Sequence, residues 1–494
     1  MSETVADTES IGRKAGRGLG WGLLGNGITK LGSFATSLAL TRLLVPHDFG
    51  VYAVALAAMQ FVIHINDLGL IPATIQWRGK LEDMAPTAAT IAAGFSFVLY
   101  AGFWFTAPSF AHLSGVPEAT PVIRLFTATI LIDGITAVQG AYLLRTFQQR
   151  RYVMANAAGI VTNAIVGIGL ALAGVGPMAL AAGQLASAAT TGALILLWAR
   201  LPIRPGIDKA VAKKLLAYGL PLAASLGVES ILEQSDKVVV GHLMGAGVLG
   251  LYLLAVNISG WAPGMIGTAV RIVSLPGYAR MSEKDEDSLS ASVSQTLPLL
   301  FLVTMPIAVL IAVLATPMIH LLYGPTWLPA AEPLRYLMIL MVVRMLTGLC
   351  MDVLMSTTAT RWTLFINVGW VVAAIPALYL GTHAGGGVGA AVAQAIVGVV
   401  VALPLAGIAL GRVGVHLLPL LRRTIRPLLA GLLAGIVAYL LHHALLGTNS
   451  FLQLAVAGTG GLVAYALTAV PRADARAWLA AVRPARPSLD TAAG

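Results

Sequence analysis

The chain has 494 residues, of which 57% are hydrophobic and 11% charged, and its formal net charge is +10. Soluble globular proteins carry about 25% charged residues, so this composition excludes an ordinary soluble domain. It predicts instead an all-α protein that crosses a membrane many times. The single cysteine, Cys350, excludes an intrachain disulfide and a cysteine-based metal site.

Apolar runs between polar breaks predict fourteen membrane-spanning helices. The runs lie at about 18–40, 50–76, 86–108, 118–142, 152–173, 178–199, 215–241, 248–275, 291–316, 330–355, 361–381, 387–411, 427–446 and 450–470. The first run follows a polar segment and has no small-residue cleavage site after it. We therefore expect an uncleaved first helix rather than a signal peptide.

The basic residues predict the orientation of these helices. Most of the 31 Lys and Arg residues fall in alternate breaks between the runs, whereas 108–117, 174–177, 381–387 and 442–450 contain none. Loops that retain Lys and Arg stay in the cytoplasm, so both termini are predicted to be cytoplasmic. Since topology accounts for the basic charge, binding to nucleic acid is not needed to explain it.

Two segments of the chain repeat each other at a distance of 200 positions. When the two segments are aligned without a gap, Gly50, Tyr52 and Ala55 are identical to the residues 200 positions later, Gly250, Tyr252 and Ala255. The repeat predicts two six-helix lobes, residues 1–200 and 201–412, followed by a basic connector, two further helices and a cytoplasmic tail over 413–494. Because each lobe has an even number of spans, the pseudo-two-fold axis would lie along the membrane normal.

Four ionisable residues lie within the predicted seventh span: Glu229, Glu233, Asp236 and Lys237. A charge at such depth costs about 2.5 to 3.5 kcal/mol on insertion scales, so it usually faces a partner or a wet cavity. The three acids are four and three residues apart, which favours one helix face directed at a cavity and a role in gating or ion coupling. The alternative is a structural arrangement that includes an intrahelical Glu233–Lys237 ion pair.

Three basic residues at comparable depth are candidates for binding an anionic group: Lys30, Arg124 and Arg344. A guanidinium group stays charged when desolvated and binds phosphate through two hydrogen bonds. The alternative is that Arg124 and Arg344 form structural pairs with Asp133 and Asp352. The chain has no GxxxxGK[ST] phosphate loop and no arguable catalytic arrangement, so we expect a protein that is not an enzyme, has no cofactor or bound metal and binds no ATP.

Several of these patterns resemble one known family. LTRLLVPHDFGVYAVA, then DLGL, and SDKVVVGHLMGAGVLGLYLLA in the seventh and eighth spans are similar to the lipid-linked oligosaccharide flippases of the polysaccharide transport family. That family belongs to the multidrug/oligosaccharidyl-lipid/polysaccharide exporter superfamily. The resemblance extends over about residues 15–411, and Asp236 matches an acidic position in the family pattern.

The resemblance implies a flippase in the bacterial plasma (inner) membrane. It would move a polyprenyl-(pyro)phosphate-linked oligosaccharide by alternating access, for the biosynthesis of cell-surface polysaccharide. The implied partners are this glycan lipid and the bilayer, with H⁺ or Na⁺ and glycan-assembly enzymes as further candidates. Two alternatives remain open: a cation-coupled multidrug exporter of the same superfamily and, less favoured because the outer loops are short, a membrane-embedded glycan polymerase or ligase.

Overall fold

The computed structural model describes residues 2–66, 81–199, 201, 205–261, 263, 286–357, 360–415 and 417–469. All regular secondary structure within these ranges is helical, which confirms the all-α prediction. The helices are α1 (Ser2–Leu43), α2 (Pro46–Asn66), α3 (Leu81–Leu113), α4 (Thr120–Thr127), α5 (Thr129–Arg145), α6 (Gln149–Leu172), α7 (Met178–Ala199), α8 (Lys209–Ser259), α9 (Glu286–Val313), α10 (Ala315–Leu322), α11 (Ala331–Ser356), α12 (Thr360–Val397), α13 (Leu403–Arg412), α14 (Leu417–Ala444) and α15 (Ser450–Ala469). Short 3₁₀ turns cover Pro117–Ala119 and Pro325–Ala330, and a π-helical turn covers Gly398–Ala402.

Eleven stretches of the described residues are long and apolar enough to cross a membrane. One of them, Arg361–Arg412, has 52 residues and covers two of the predicted spans. The predicted spans at 18–40 and 215–241 are not among the eleven, but they lie within α1 and α8. Each of the fourteen predicted spans thus overlaps a helix, and the chain is a polytopic membrane protein.

The predicted division between the seventh and eighth spans is a glycine break rather than a loop. Asp208 caps the start of α8 by accepting hydrogen bonds from the backbone N–H groups of Ala210 and Val211. The helix then runs for 51 residues, interrupted at Gly245, where φ is 74° and ψ is −179°. Only glycine adopts such a backbone conformation at little cost, so this residue is where one predicted span ends and the next begins.

The chain divides into two compact units, each with its own packing. The first consists of residues 1–265, 322–337 and 367–397, and the second of 266–321, 338–366 and 398–494. In the first unit, α2 packs against α8, α6 against α7, and α1 against α6. The predicted lobe boundaries at 200 and 412 remain predictions.

In the second unit, the last two helices pack together and against α9. The Tyr465 hydroxyl of α15 donates a hydrogen bond to the backbone oxygen of Leu302 at 2.7 Å. Arg423 of α14 donates to the backbone oxygen of Ser294 at 3.0 Å. These contacts attach the predicted C-terminal pair of helices to α9.

Candidate functional site

The two repeated segments lie against each other in the first unit. A Cβ atom added to Gly50 would overlap the backbone oxygen of Ala246, and one added to Gly250 would overlap that of Pro46. Pro46 and Gly50 are each 200 positions from Ala246 and Gly250, so the contact maps onto itself under the shift that relates the segments. Glycine lets the two backbones approach this closely, which explains why both segments carry it at the same place.

A second pair of contacts follows the same repeat. Arg42 Nε donates a hydrogen bond to the backbone oxygen of Leu322 at 2.9 Å, and Nδ1 of His242 lies 2.9 Å from the backbone oxygen of Leu113. Arg42 and His242 are again 200 positions apart. Arg42 lies at the end of α1 and contacts the last residue of α10, and His242 lies just before the break in α8 and contacts the last residue of α3. We call these two contacts, together with the Gly50 and Gly250 contacts, the repeat contact.

A buried polar network stands beside the repeat contact. Gln394 Nε2 donates a hydrogen bond to the Tyr252 hydroxyl at 3.0 Å, which donates to Asp236 Oδ2 at 3.3 Å. The Lys237 ammonium lies 3.3 Å from Asp236 Oδ1. Asp236 is 4% exposed and Lys237 7%, so the two charges form an ion pair shielded from solvent. Gln394 was missed by sequence reasoning, because a neutral amide in an apolar run carries no signal of its partner.

The alternative Glu233–Lys237 ion pair is not formed among the described residues. Lys237 Nζ reaches only the backbone oxygen of Glu233, at 3.5 Å, while the Glu233 side chain is exposed. A buried carboxylate left without a cation costs much more than an exposed one, so the ammonium pairs with Asp236 instead. Glu229 lies in α8, but its side chain is outside the described set.

Of the three predicted cationic residues, Lys30 and Arg124 belong to the first unit, and no described contact joins them. Lys30 of α1 is exposed. The guanidinium of Arg124, in α4, lies 4.7 Å from the centre of the Trp104 ring, and its Nε donates to the backbone oxygen of Trp104 at 3.1 Å. Arg344 is exposed on α11, in the second unit. Their roles, like those of the three acids, remain predictions.

The structural pairs considered for Arg124 and Arg344 are not formed. In the described part of the chain, no ion pair joins Arg124 to Asp133 or Arg344 to Asp352. Asp352 is buried in the second unit and has another interaction. Asp133 instead lines a cavity of the first unit, which leaves the guanidinium of Arg124 with the Trp104 ring as its described neighbour.

This cavity has a volume of about 640 Å³, is partly open and is lined by residues of α2 to α7. Six of the polar residues that line it are Gln60, Asn66, Asp133, Tyr152, Asn156 and Gln184. Gln184 also hydrogen-bonds to the Tyr52 hydroxyl, the counterpart of Tyr252. Apart from Asp133, sequence reasoning did not single out these residues, since neutral polar side chains scattered over several helices form no motif.

Comparison with known proteins gives a family and a fold. The model of a family described as polysaccharide biosynthesis protein matches residues 39–332. Lipopolysaccharide biosynthesis protein WzxC of Escherichia coli (strain K12) is 21% identical over 360 residues, which cover 71% of each chain. Succinoglycan biosynthesis transport protein ExoT of Rhizobium meliloti (strain 1021) is 25% identical over 314 residues, which cover 63% of each chain.

Two solved structures share the fold. The lipid II flippase MurJ, in an inward closed conformation, superposes with a TM-score of 0.73 at 16% identity, covering 91% of this chain and 99% of its own. An inward-facing multidrug resistance MATE transporter gives a TM-score of 0.57 at 18% identity, covering 80% of this chain and 94% of its own. At such identities the likeness shows a common arrangement of helices.

Proposed function

We propose that the chain, which belongs to the polysaccharide biosynthesis protein family, moves a lipid-linked oligosaccharide across the plasma (inner) membrane. The observation that carries the proposal is the match over residues 39–332, which includes both repeated segments. The names of WzxC, ExoT and MurJ refer to lipopolysaccharide biosynthesis, succinoglycan transport and the flipping of lipid II. The cargo class common to such proteins is a glycan on a lipid carrier.

The repeat contact supports transport by alternating access. If the amino terminus is cytoplasmic, Arg42, Leu113, His242 and Leu322 all lie at outer helix ends. A contact built from close backbone approach and two hydrogen bonds has two discrete states, made or broken, as a moving element requires. In this proposal it closes the outer side and opens when the cargo is released there.

The cargo's phosphate groups would meet basic side chains. Arg124 is suited to this role because the Trp104 ring holds its guanidinium in place without neutralising it. Lys30 and Arg344 are exposed and carry no described counter-ion. We propose that these three residues bind the (pyro)phosphate of a polyprenyl carrier, whose apolar tail remains in the bilayer.

The acids of α8 would serve gating or ion coupling. Asp236 connects Lys237 to Tyr252 and through it to Gln394, so a change in its protonation or cation occupancy would affect α8 on both sides of Gly245 and also α12. Glu233 is exposed at the same helix, and Glu229 is one turn earlier in sequence. We propose H⁺ or Na⁺ as the coupled ion, and glycan-assembly enzymes as partners that deliver the cargo.

The test is translocation of a fluorescent undecaprenyl-pyrophosphate oligosaccharide by the purified protein in proteoliposomes. Arg124→Ala and Arg344→Ala are each expected to lower the initial rate at least tenfold, because hydrogen bonds to a charged group contribute about 1.5 to 3 kcal/mol. Arg412→Ala is the matched control, since Arg412 also lies over a tryptophan ring, that of Trp362, at 6.0 Å, but belongs to a predicted cytoplasmic end.

Two results would overturn this proposal. Wild-type protein that moves no lipid-linked sugar, but expels cationic dyes along an imposed ion gradient, would make it a multidrug exporter. Wild-type translocation that is unaffected in folded Arg124→Ala and Arg344→Ala variants would leave the flippase function but remove the proposed phosphate site.

A further inference from the structure

The cavity of the first unit has a mixed lining, in which neutral polar side chains lie among a larger number of apolar residues. Among its described lining residues there is one carboxylate, that of Asp133, and no lysine or arginine. Its volume of about 640 Å³ falls within the 300 to 1,000 Å³ that is usual for small-molecule sites. The walls therefore suit a ligand that has both polar groups and apolar faces and carries no strong negative charge.

The Asp133 carboxylate lies near the Tyr152 hydroxyl, which it influences electrostatically, but it has no described hydrogen-bond or ion-pair partner. Asp133 is half-buried on α5, and no described residue forms a hydrogen bond or an ion pair with its side chain. An ionised carboxylate accepts up to about four hydrogen bonds and donates none, and leaving it unpaired away from bulk water is costly. It thus requires hydrogen-bond donors, which either water or the hydroxyl groups of a ligand in the cavity can supply.

The neighbouring side chains add both donors and acceptors. The Tyr152 hydroxyl hydrogen-bonds to the Asn156 side chain, and the Asn156 amide also donates to the backbone oxygen of Tyr152 at 2.9 Å. Across the cavity, the Asn66 side-chain oxygen accepts a hydrogen bond from Ser96 at 2.7 Å, which leaves its amide nitrogen as a donor. Amides and hydroxyls fixed by such internal bonds present defined donors and acceptors to a ligand.

We propose that this cavity binds a sugar unit of the cargo's headgroup, with the Asp133 carboxylate accepting hydrogen bonds from two sugar hydroxyls. The inference rests on the proposed function and names a glycan subsite separate from the basic residues. Vicinal hydroxyls match the two oxygens of a carboxylate, while Asn66, Asn156 and Ser187 supply amide and hydroxyl groups to others. The Tyr152 ring offers an apolar surface for a sugar face.

Phosphate and a bare metal ion fit the cavity poorly. A phosphate group would meet the Asp133 charge with no lysine or arginine among the described lining residues, and like charges repel. A bare divalent ion needs oxygen ligands at about 2 to 2.6 Å on every side. A cavity of about 640 Å³ with a single carboxylate among its described lining residues is too wide to surround such an ion. A neutral, hydroxyl-rich ligand suits both the size and the charge.

The experiment compares two probes in detergent: undecaprenyl pyrophosphate, and undecaprenyl pyrophosphate that carries one N-acetylhexosamine. Wild-type protein is expected to bind the second probe at least about tenfold more tightly, and Asp133→Asn is expected to abolish most of that difference. Ala188→Leu places a larger side chain in the cavity and should also abolish most of the difference in affinity between the probes. Its matched control is Ala189→Leu, the next residue of α7, which is exposed and outside the lining.

The outcomes separate this inference from the proposed function. If wild-type protein binds neither probe and translocates no lipid-linked sugar, the flippase proposal itself fails. If it translocates the sugar lipid, and folded Asp133→Asn and Ala188→Leu variants keep the full preference for the sugar-bearing probe, the flippase stands and the glycan subsite is refuted. A variant that keeps this preference but loses dependence on a pH or Na⁺ gradient would show an ion site in its place.

Discussion

The two repeated segments share a tyrosine–glutamine hydrogen bond but differ in the helix that precedes it. Tyr52 bonds to Gln184, and Tyr252 bonds to Gln394. At the distance of 200 positions, Asp236 corresponds to Thr36. The Thr36 hydroxyl donates to the backbone oxygen of Gly32 in its own helix at 2.9 Å, so it needs no partner from elsewhere, whereas Asp236 depends on Tyr252 and Lys237.

This difference distinguishes a contact that both repeated segments share from an ion pair that occurs in the second segment only. Since the tyrosine–glutamine bond occurs beside both segments, it is part of the packing that the repeat shares. The ion pair is found in only one of them. The attraction between two buried charges often does not exceed the free energy lost when they are removed from water. A hydroxyl at the equivalent place shows that the packing does not require the charges, which favours a functional role for Asp236 and Lys237.

The largest effect is expected from removing one charge of the pair. Lys237→Met keeps the side-chain length but leaves the Asp236 carboxylate buried without a cation, which should lower the free energy of unfolding by about 3 to 5 kcal/mol. Adding Asp236→Asn to that variant should restore most of the loss. Equilibrium unfolding in mixed micelles measures both.

Ser37→Ala is the control, because Ser37 stands at the place of Lys237 in the first segment. Its effect should stay within about 0.5 kcal/mol. A Lys237→Met variant as mild as Ser37→Ala would show that the ion pair contributes nothing to stability.

A smaller effect, but an equal one in both halves, is expected at the glycines of the repeat contact. Gly50→Ala and Gly250→Ala each place a Cβ atom against a backbone oxygen, and such overpacking costs about 1 to 3 kcal/mol. Both variants should weaken the contact and slow translocation in proteoliposomes to a similar degree. Gly247→Ala is the matched control, since a Cβ atom there meets nothing within 4 Å.

Unequal losses would contradict the symmetry of the contact. Alanine is the better helix former by about 1 kcal/mol, so Gly247→Ala should be neutral or slightly stabilising. A clear loss in Gly250→Ala with none in Gly50→Ala would mean that only one of the two approaches matters for closure.

The sequence predicted the elements well because hydropathy is local. Each apolar run of about 20 residues overlaps a helix, and Gly50 and Gly250 were identified from their identity at a fixed spacing. An ion pair on this helix was considered only as an alternative, and with Glu233 as the acid. Helical spacing alone cannot tell which acid is buried, and burial selected Asp236.

The cavity and the polar network were beyond sequence reasoning for a different reason. Gln394 is 142 residues from Tyr252, and the lining of the cavity comes from six helices. Such contacts depend on tertiary packing, and the spacing of neutral amides and hydroxyls within apolar runs does not predict which residues they contact. Asp133 was considered only as a structural partner of Arg124. The DLGL pattern of the family resemblance, 67–70, lies outside the described residues.

A moderate effect should distinguish the two tyrosines. Tyr252→Phe removes the group that accepts from Gln394 and donates to Asp236, whereas Tyr52→Phe removes the bond to Gln184. The additional bond to a charged acceptor should make Tyr252→Phe the more destabilising by about 1.5 to 3 kcal/mol. Equilibrium unfolding of both variants tests this, and equal losses would show that the 3.3 Å contact with Asp236 contributes no net stability.

The smallest effect concerns the hydrogen bonds of the repeat contact. His242→Ala removes the exposed contact with the backbone oxygen of Leu113, and Arg42→Ala removes the exposed bond to that of Leu322 together with the other interaction of this side chain. Each bond to a backbone oxygen is worth about 0.5 to 1.5 kcal/mol. That loss would open the contact more often without unfolding the protein. The measurement is the rate at which an impermeant maleimide labels a cysteine at Ser114, which is fully buried, in a Cys350→Ala background.

The labelling rate should rise severalfold in both variants, and more in Arg42→Ala, because a charged donor makes the stronger bond. His47→Ala is the control: its ring lies 3.3 Å from Glu118 in a pair more than half exposed, and such surface pairs contribute little. An unchanged rate in the Arg42 and His242 variants would mean that the close backbone approach at Gly50 and Gly250 holds the contact by itself. The hydrogen bonds would then set the register of the two segments rather than the equilibrium between open and closed.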